Sequence, residues 1–324
     1  MVCARDRWPL VTLASFQRCD GDPILGMELP GGFTPIEVVG AGSSAVVYRA
    51  TVAPPSSRRG AAEEPASASR PFAAVKVMRL DGSEQAVAMD AWEREVSALE
   101  KLRSPHLVRM LDSGRITHPA SFFVALEWLD GETLDAAGAL PLADALEVAI
   151  EVASGLAGLH ARGFVHGDVK PRNAIRGARG AIVFDLGSSF VEGSRQAGFG
   201  EALFRASPAY AAPERIDGGR LGRAVDTYSL GATLFRLVTG RPLFEGSAEA
   251  VAEAHRTAHA PGAREVLDAS RGASATPRSD DPDVHLWAGI ESALGALLAK
   301  DPSLRPSDPA ALLRGLLRSA RSSA

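Results

Sequence analysis

Cysteine is almost missing from this chain. Cys3 and Cys19 are the only two, and both precede the first convincing structural pattern. A disulfide framework or a cysteine metal cluster is excluded on that count, and the pair reads as incidental thiols in a reducing compartment. Long apolar runs are lacking as well: none reaches the roughly eighteen residues a membrane span needs. The early stretch "WPLVTLASF" is short, broken by Pro9 and preceded by Asp6 between two arginines, which makes a poor signal peptide. Basic charge is not in excess either. A net charge of −4 and a pI near 6.0 give no electrostatic footprint for nucleic acid. The expected setting is therefore cytoplasmic, with neither nucleic acid nor a membrane span involved.

Apolar residues are plentiful, at 46% of 324, enough to bury one large core or two lobes. Residues 1–32 show no clear period and end in "LPGG", which reads as a leader or linker. From Phe33 the texture changes. "IEVVGAGSSAVVYRATV" is two β-rich runs around a Gly/Ser turn, and "FAAVKVMRL" is a further strand. Between them, 53–71 is rich in Pro, Ala, Ser and charge without an apolar period, and reads as a flexible insertion. "SEQAVAMDAWEREVSALEKL" is helical and stops at "RSPH", where Pro105 disfavours continuation. Two more strands, "HLVRMLDSG" and "SFFVALEWLD", complete a sheet-rich first part.

Beyond about residue 130 the balance inverts. "LADALEVAIEVASGLAGLHARG" and "DTYSLGATLFRLVTG" carry apolar residues at helical spacing, the second closed by Gly240. "DVHLWAGIESALGALLAKD" and "PAALLRGLLRSA" are helical too, and "AIVFDLG" is an apolar run between short loops. The coarse architecture is a small β-rich lobe followed by a larger helical one, an α+β chain with two lobes.

Several short patterns carry charge where the apolar period would not place it. In "FAAVKVM", strand alternation puts Phe72, Ala74, Lys76 and Met78 on one face. A lysine among apolar neighbours needs an anionic partner or a route to water. Glu95 lies inside the apolar stripe Trp92, Val96, Leu99, Leu102 of the next helix, 19 residues beyond Lys76, and is the candidate partner. A snorkelling lysine and a solvated border glutamate are the bland alternatives. "FVHGDVKPRN" spaces Asp168, Lys170 and Asn173 as a proton acceptor, a phosphate clamp and a metal ligand would be spaced.

In order, "GAGSSAVV", "AAVK", the helix glutamate, "HGDVKPRN", "FDLG", "AAPE", "DTYSLG" and "DPSLRP" resemble a Hanks-type, eukaryotic-like serine/threonine protein kinase from Phe33 to about Leu317. The low aromatic content and Ala/Gly/Arg/Pro-rich style suggest a bacterial one. The resemblance implies a bilobal protein kinase fold over 33–317, with an N-lobe 33–130, a C-lobe 131–317 and a tail 318–324. It implies ATP and Mg2+ (Mn2+ as a substitute) as cofactors and serine or threonine hydroxyls of proteins as acceptors. Lys76, held by Glu95, would bind the α/β-phosphates, Asp168 would accept the acceptor's proton, and Lys170 would steady the γ-phosphate. Asn173 and Asp185 would hold the metal. Adenine would lie between Val39, Val47 and Ala74 on one side and Ile175 on the other. Backbone groups of Glu127 and Leu129 would meet its edge, with Leu126 as gatekeeper. Gly40, Ala41 and Gly42 would cover the phosphates. Glu214 would pair with Arg305, Asp226 would bond the loop near His166, and His166 would be a packed residue. Ser207 stands where the family usually has threonine.

Three positions depart from the family pattern: Ala45 for the third loop glycine, Leu186 for the usual phenylalanine, and Gly167 for the arginine before Asp168. Gly167 removes the guanidinium that normally docks an activation-loop phosphate, so activity independent of that phosphate is expected. Two other readings remain. A small-molecule phosphotransferase of aminoglycoside or choline type also uses "HGD" but lacks the "AAPE", Asp226 and Arg305 pattern. A pseudokinase binding module would trade on the three departures. The chain stops soon after its last helix, so regulatory input is expected from a partner protein, a second copy, the leader or the insertion.

Overall fold

A computed structural model describes residues 22–42, 45–53, 72–79, 85–100, 102–196, 208–271 and 284–323. The insertion beyond Ala53, and Ser207, lie outside the described residues. Contacts divide the chain into two compact units, Met1–Lys101 with Val108–Leu129, and Leu102–Leu107 with Asp130–Ala324.

The first unit is built on an antiparallel sheet of β1 (Phe33–Ala41), β2 (Ala45–Val52), β3 (Phe72–Arg79), β4 (Met110–Ile116) and β5 (Ser121–Glu127), in the order β1-β2-β3-β5-β4. Helix α1 (Gln85–Leu99) packs on it through β3 and β5. Alternation along β3 sends Ala73, Val75 and Val77 into a core with Phe33, Tyr48, Phe123 and Ala125, while Phe72, Ala74 and Lys76 take the opposite face. Each large apolar side chain so buried stabilises the unit by about 1.5–3 kcal/mol.

Ile24 and Leu29 belong to the same core, each 2% exposed. The leader boundary at residue 32 is thus corrected: Asp22–Gly32 is part of the sheet unit. Asp22 secures it, its Oδ2 accepting from the Tyr48 hydroxyl at 2.9 Å and its Oδ1 from the Ile24 N–H at 2.9 Å. Two buried side chains in an irregular segment leave no period to read.

A second correction concerns Leu102–Leu107, read with the first lobe yet belonging to the second unit. There Leu107 bridges Val183, the Val183 N–H donates to the His106 carbonyl at 3.0 Å, and His106 Nδ1 meets the Ala181 carbonyl at 3.0 Å. A Cβ at Gly155 would run into the His106 carbonyl, so the glycine permits this close approach.

The second unit continues with β6 (Glu132–Thr133), α2 (Leu142–His160), β7 (Phe164–Val165), β8 (Ala174–Gly177), β9 (Gly180–Val183), β10 (Phe190–Val191) and β11 (Arg195–Gln196). Then come α3 (Pro213–Asp217), β12 (Gly219–Arg220), α4 (Ala224–Thr239), α5 (Ala248–Thr257), α6 (Ala263–Arg271), α7 (Val284–Leu297) and α8 (Pro309–Ser323). Helices α2 and α4 form its centre: α2 packs on α4 and α8, and α4 on α7. The strands make three small sheets, β6-β8-β9, β7 with β10, and β11 with β12.

Helices α5 and α6 escape the apolar period because their sequences are polar. The local sign of α5 is its cap, Ser247, whose hydroxyl accepts from the Ala250 N–H at 3.3 Å. The α5 residue His255 is buried against Tyr228, its Nδ1 3.0 Å from the phenol oxygen, which also accepts from Lys300 Nζ at 3.2 Å. Burial, with the Lys300 charge, pushes the His255 ring down to about 4, so it is neutral at pH 7.

Candidate active site

In the sheet unit the strand register sets Val47 directly opposite Lys76. Val39 sits at a break in the β1–β2 register between Val38 and Gly40 and is 44% exposed. Val47, Ala74 and Lys76 are half-buried on the face away from the core. Gly40 and Ala41 pair with Val47 and Val46, and the Gly42 N–H donates to the Ala45 carbonyl at 2.8 Å.

Lys76 donates to Glu95 Oε2 at 2.8 Å, and Glu95 is fully buried. An ammonium at that distance is what makes a buried carboxylate tolerable. Trp92, one turn before Glu95, fixes the helix that presents it. Its indole lies 4.6 Å from the Phe122 ring at 19° and its Nε1–H donates to the Phe123 carbonyl at 2.9 Å. The sequence reading placed Trp92 in the apolar stripe and missed this polar anchor. Only the polar handle of tryptophan could have signalled it.

Glu127 closes β5. Its N–H donates to the Arg109 carbonyl at 2.9 Å and its Oε1 accepts from the Arg109 N–H at 3.2 Å. Leu126 is buried, and Leu129 half-buried.

In the helical unit Asp168, Lys170 and Asn173 come together. Lys170 Nζ donates to Asp168 Oδ2 at 2.6 Å, and Asn173 Nδ2 donates to the Asp168 carbonyl at 2.9 Å and to its Oδ2 at 3.1 Å. Buried Val169 and the short 3-10 turn Pro171–Asn173 pin the loop between them. Ile175 lies half-buried in β8, opposite Ile182.

Asp226, fully buried in the first turn of α4, organises the loop from beneath. Its Oδ2 accepts from the His166 N–H at 2.9 Å and its Oδ1 from the Gly167 N–H at 2.9 Å. His160 Nε2 lies 2.7 Å from Oδ2, a partner the sequence reading did not name. Burial alone would raise the Asp226 carboxyl, but the His160 hydrogen bond and charge, the His166 charge and the Gly167 N–H together hold it below the usual carboxylate range. His166 is itself fully buried, its Nδ1 accepting from the Asp168 N–H and its Nε2 facing the Phe184 carbonyl. It packs and orients, as expected. Arg305 grips Glu214 with two bonds, at 2.6 and 2.9 Å, and lays its guanidinium 4.9 Å over the Tyr228 ring.

The donor set fits Mg2+. The Asn173 amide nitrogen donates to Asp168, so its oxygen is the atom that could meet a hard cation, and Asp185 could add a carboxylate. Asp185 is held at φ 64°, a left-handed backbone that a non-glycine residue adopts at a cost and that marks functional sites. Among the described residues no cluster of three acidic, histidine or cysteine side chains could hold a metal, so an ion here would draw its remaining ligands from phosphate and water.

The family described as "Protein kinase domain" matches residues 33–314. The chain belongs to the protein kinase family. This kinase chain is 32% identical over 283 residues to serine/threonine-protein kinase PkaA of Streptomyces coelicolor, covering 84% of its own length and 47% of that protein. It is 31% identical over 245 residues to serine/threonine-protein kinase pkn2 of Myxococcus xanthus, covering 72% of itself and 27% of the relative. It thus spans between about a quarter and a half of these curated relatives' length. Among solved structures it matches the kinase domain of Mycobacterium tuberculosis PknI, a mutant form, with a TM-score of 0.59 at 21% identity, covering 92% of this chain and 97% of that one. The fold is the protein kinase fold. No helix among the described residues is long and apolar enough to cross a membrane.

Trp92→Ala removes both the stack and the hydrogen bond that hold α1 to β5, and Trp92→Phe removes only the latter. ATP KM is expected to rise about tenfold in the first and about twofold in the second, because Lys76 depends on Glu95 for its position. Steady-state kinetics with varied ATP check this, and an unchanged KM in Trp92→Ala removes the indole from the account.

Proposed function

We propose that the chain is an ATP-dependent serine/threonine protein kinase acting on cytoplasmic proteins without activation-loop phosphorylation. The observation that carries this reading is the Asp168–Lys170–Asn173 constellation, with an ammonium 2.6 Å from the carboxylate that would take the acceptor's proton. ATP with Mg2+ supplies the phosphoryl group and screens its charge. Asp168 orients the serine or threonine hydroxyl and accepts its proton as the oxygen–phosphorus bond forms and the bond to ADP breaks. Lys170, beside it, steadies the negative charge on the moving group, and Lys76 with Glu95 fixes the α/β-phosphates. Asn173 and Asp185 would hold the cation.

Independence from phosphorylation is supported by Gly167. Its φ is 76°, and a Cβ there would come within 2.8 Å of the Phe190 ring and 2.9 Å of the Ser188 carbonyl. The position before Asp168 holds glycine, so the chain carries no guanidinium there to wait for a phosphate.

The test is transfer of labelled phosphate from ATP to casein or myelin basic protein, beside aminoglycosides and choline, with Lys76→Met as the control. Protein labelling that vanishes in the control is expected, and labelling of the small molecules alone overturns the reading. Phosphatase-treated and autophosphorylated enzyme should differ less than about twofold in kcat/KM. A large drop on dephosphorylation overturns the independence.

A further inference from the structure

Between Asp185 and α3 the chain must leave the catalytic loop and return, and its first part, Phe190–Gln196, is held on both sides. On one side Phe190 and Val191 pair with Val165 and Phe164, and the Glu192 N–H donates to the Gly163 carbonyl at 2.8 Å. On the other, the Gly193 N–H donates to the Leu221 carbonyl at 2.7 Å, the Leu221 N–H to the Ser194 carbonyl at 3.3 Å, and Arg195 and Gln196 pair with Arg220 and Gly219.

An ion pair reinforces this lattice, beside the Arg220 guanidinium that donates to the Gly193 carbonyl at 3.3 Å. Arg223 Nε donates to Glu192 Oε1 at 2.9 Å and its Nη2 to Oε2 at 2.8 Å, a two-pronged fit, while the Arg223 backbone N–H adds a third bond to Oε1 at 3.3 Å. Exposed ion pairs usually contribute little, but bidentate geometry is the exception. The carboxylate also lies at the N-terminal end of α4, where the helix dipole favours it. The Arg223 hydrogen bond accordingly holds the Glu192 carboxyl below its ordinary range.

The position of this pair gives it a role. Arg223 immediately precedes α4, and three residues later Asp226 grips the His166 and Gly167 N–H groups. Two residues before Glu192, the Phe190 ring fills the space against Gly167, and the Arg215 guanidinium lies 5.5 Å from the centre of that ring. The same helix end therefore holds both the catalytic loop and the start of the segment that follows it.

We propose that the Glu192–Arg223 pair is a permanent internal substitute for a phosphate–arginine contact, positioning the start of the activation segment for the protein substrate. The proposal rests on the kinase reading above and names positioning residues, not catalytic ones. A fixed glutamate does what a regulated phosphate would do elsewhere, which explains how a kinase lacking the arginine at 167 holds Phe190–Gln196 in place.

The test is a double-mutant cycle on the full chain with Glu192→Gln, Arg223→Gln and the double variant, plus Arg223→Lys. Each glutamine variant is expected to lower kcat/KM for casein about tenfold while leaving the ATP KM within about twofold. The double variant should be no weaker than either single, and Arg223→Lys should lie between. Amide exchange of Glu192–Gln196 should quicken about tenfold in the glutamine variants. Losses that multiply, or single variants within twofold of the parent in activity, overturn the proposal. Equal exchange in all proteins overturns it whatever the activity. A parent chain that transfers no phosphate, yet whose segment loosens in the variants, sinks the kinase reading and leaves the ion-pair clasp standing.

Discussion

Asp168→Asn is expected to abolish useful phosphoryl transfer while leaving the protein folded. Asparagine keeps the volume of the side chain and an oxygen that can accept from Lys170 and Asn173, so the side-chain bonds at 2.6 and 3.1 Å have a replacement acceptor, and the 2.9 Å bond to the backbone carbonyl is untouched. Asp168 is partly exposed, with 32% of its side chain accessible, so no buried charge is orphaned. On the proposed mechanism, what is lost is a group able to take a proton and the negative charge that would orient the hydroxyl. General-base removal typically costs about 10²–10⁴ in kcat. Labelled transfer to casein should fall by at least two orders of magnitude, with the thermal midpoint within about 2 °C of the parent. A variant that keeps a tenth of the activity would remove Asp168 from its role. Comparison with Lys76→Met is informative, because that change should act mainly through nucleotide positioning.

Part of this arrangement could be read from residue order because each contact involves a charged side chain that burial obliges to find a partner. Lys76 and Glu95 both interrupt apolar patterns, which made Glu95 the candidate partner beside a snorkelling lysine and a solvated glutamate, and the 2.8 Å contact decides for the pair. Glu214 with Arg305 and Asp226 with the loop around His166 came from the family resemblance, and the structure bears out both contacts. The unreadable parts share a different physics. Ile24 and Leu29 pack from an irregular segment with no period. Leu102–Leu107 joins the helical unit through backbone groups of His106 and Leu107 and one bond from the His106 ring to a backbone carbonyl, partners that no side-chain pattern announces. Glu192 and Arg223 are ordinary exposed charges 31 residues apart, and only the folded path brings them together. His160 reads as the polar end of an amphipathic helix until its distance to Asp226 is known.

Asp226→Ala should be the most damaging single change outside the loop itself. One carboxylate, 0% exposed, accepts from two backbone N–H groups and faces the His160 ring at 2.7 Å. Truncation strands those donors where water cannot reach them, and each unsatisfied buried group costs about 1–3 kcal/mol. Breaking a buried charged contact from one side costs about 3–5 kcal/mol in comparable cases. Against a total of about 5–15 kcal/mol for a typical domain, that is a large share. The carboxyl's folded value lies below its ordinary 3.8, so its ionised contribution is complete above that value and fades only as pH falls through the lower, folded one. The gap between parent and Asp226→Ala in urea midpoint should therefore hold steady from pH 7 to 8 and narrow only in strong acid. Activity should fall further than stability alone explains, because the freed His166 and Gly167 N–H groups no longer set the approach of Asp168. Urea titration beside single-turnover transfer, under conditions where the variant is still folded, separates the two effects. A folded variant with parental turnover would show that the loop holds itself and that Asp226 only stabilises it.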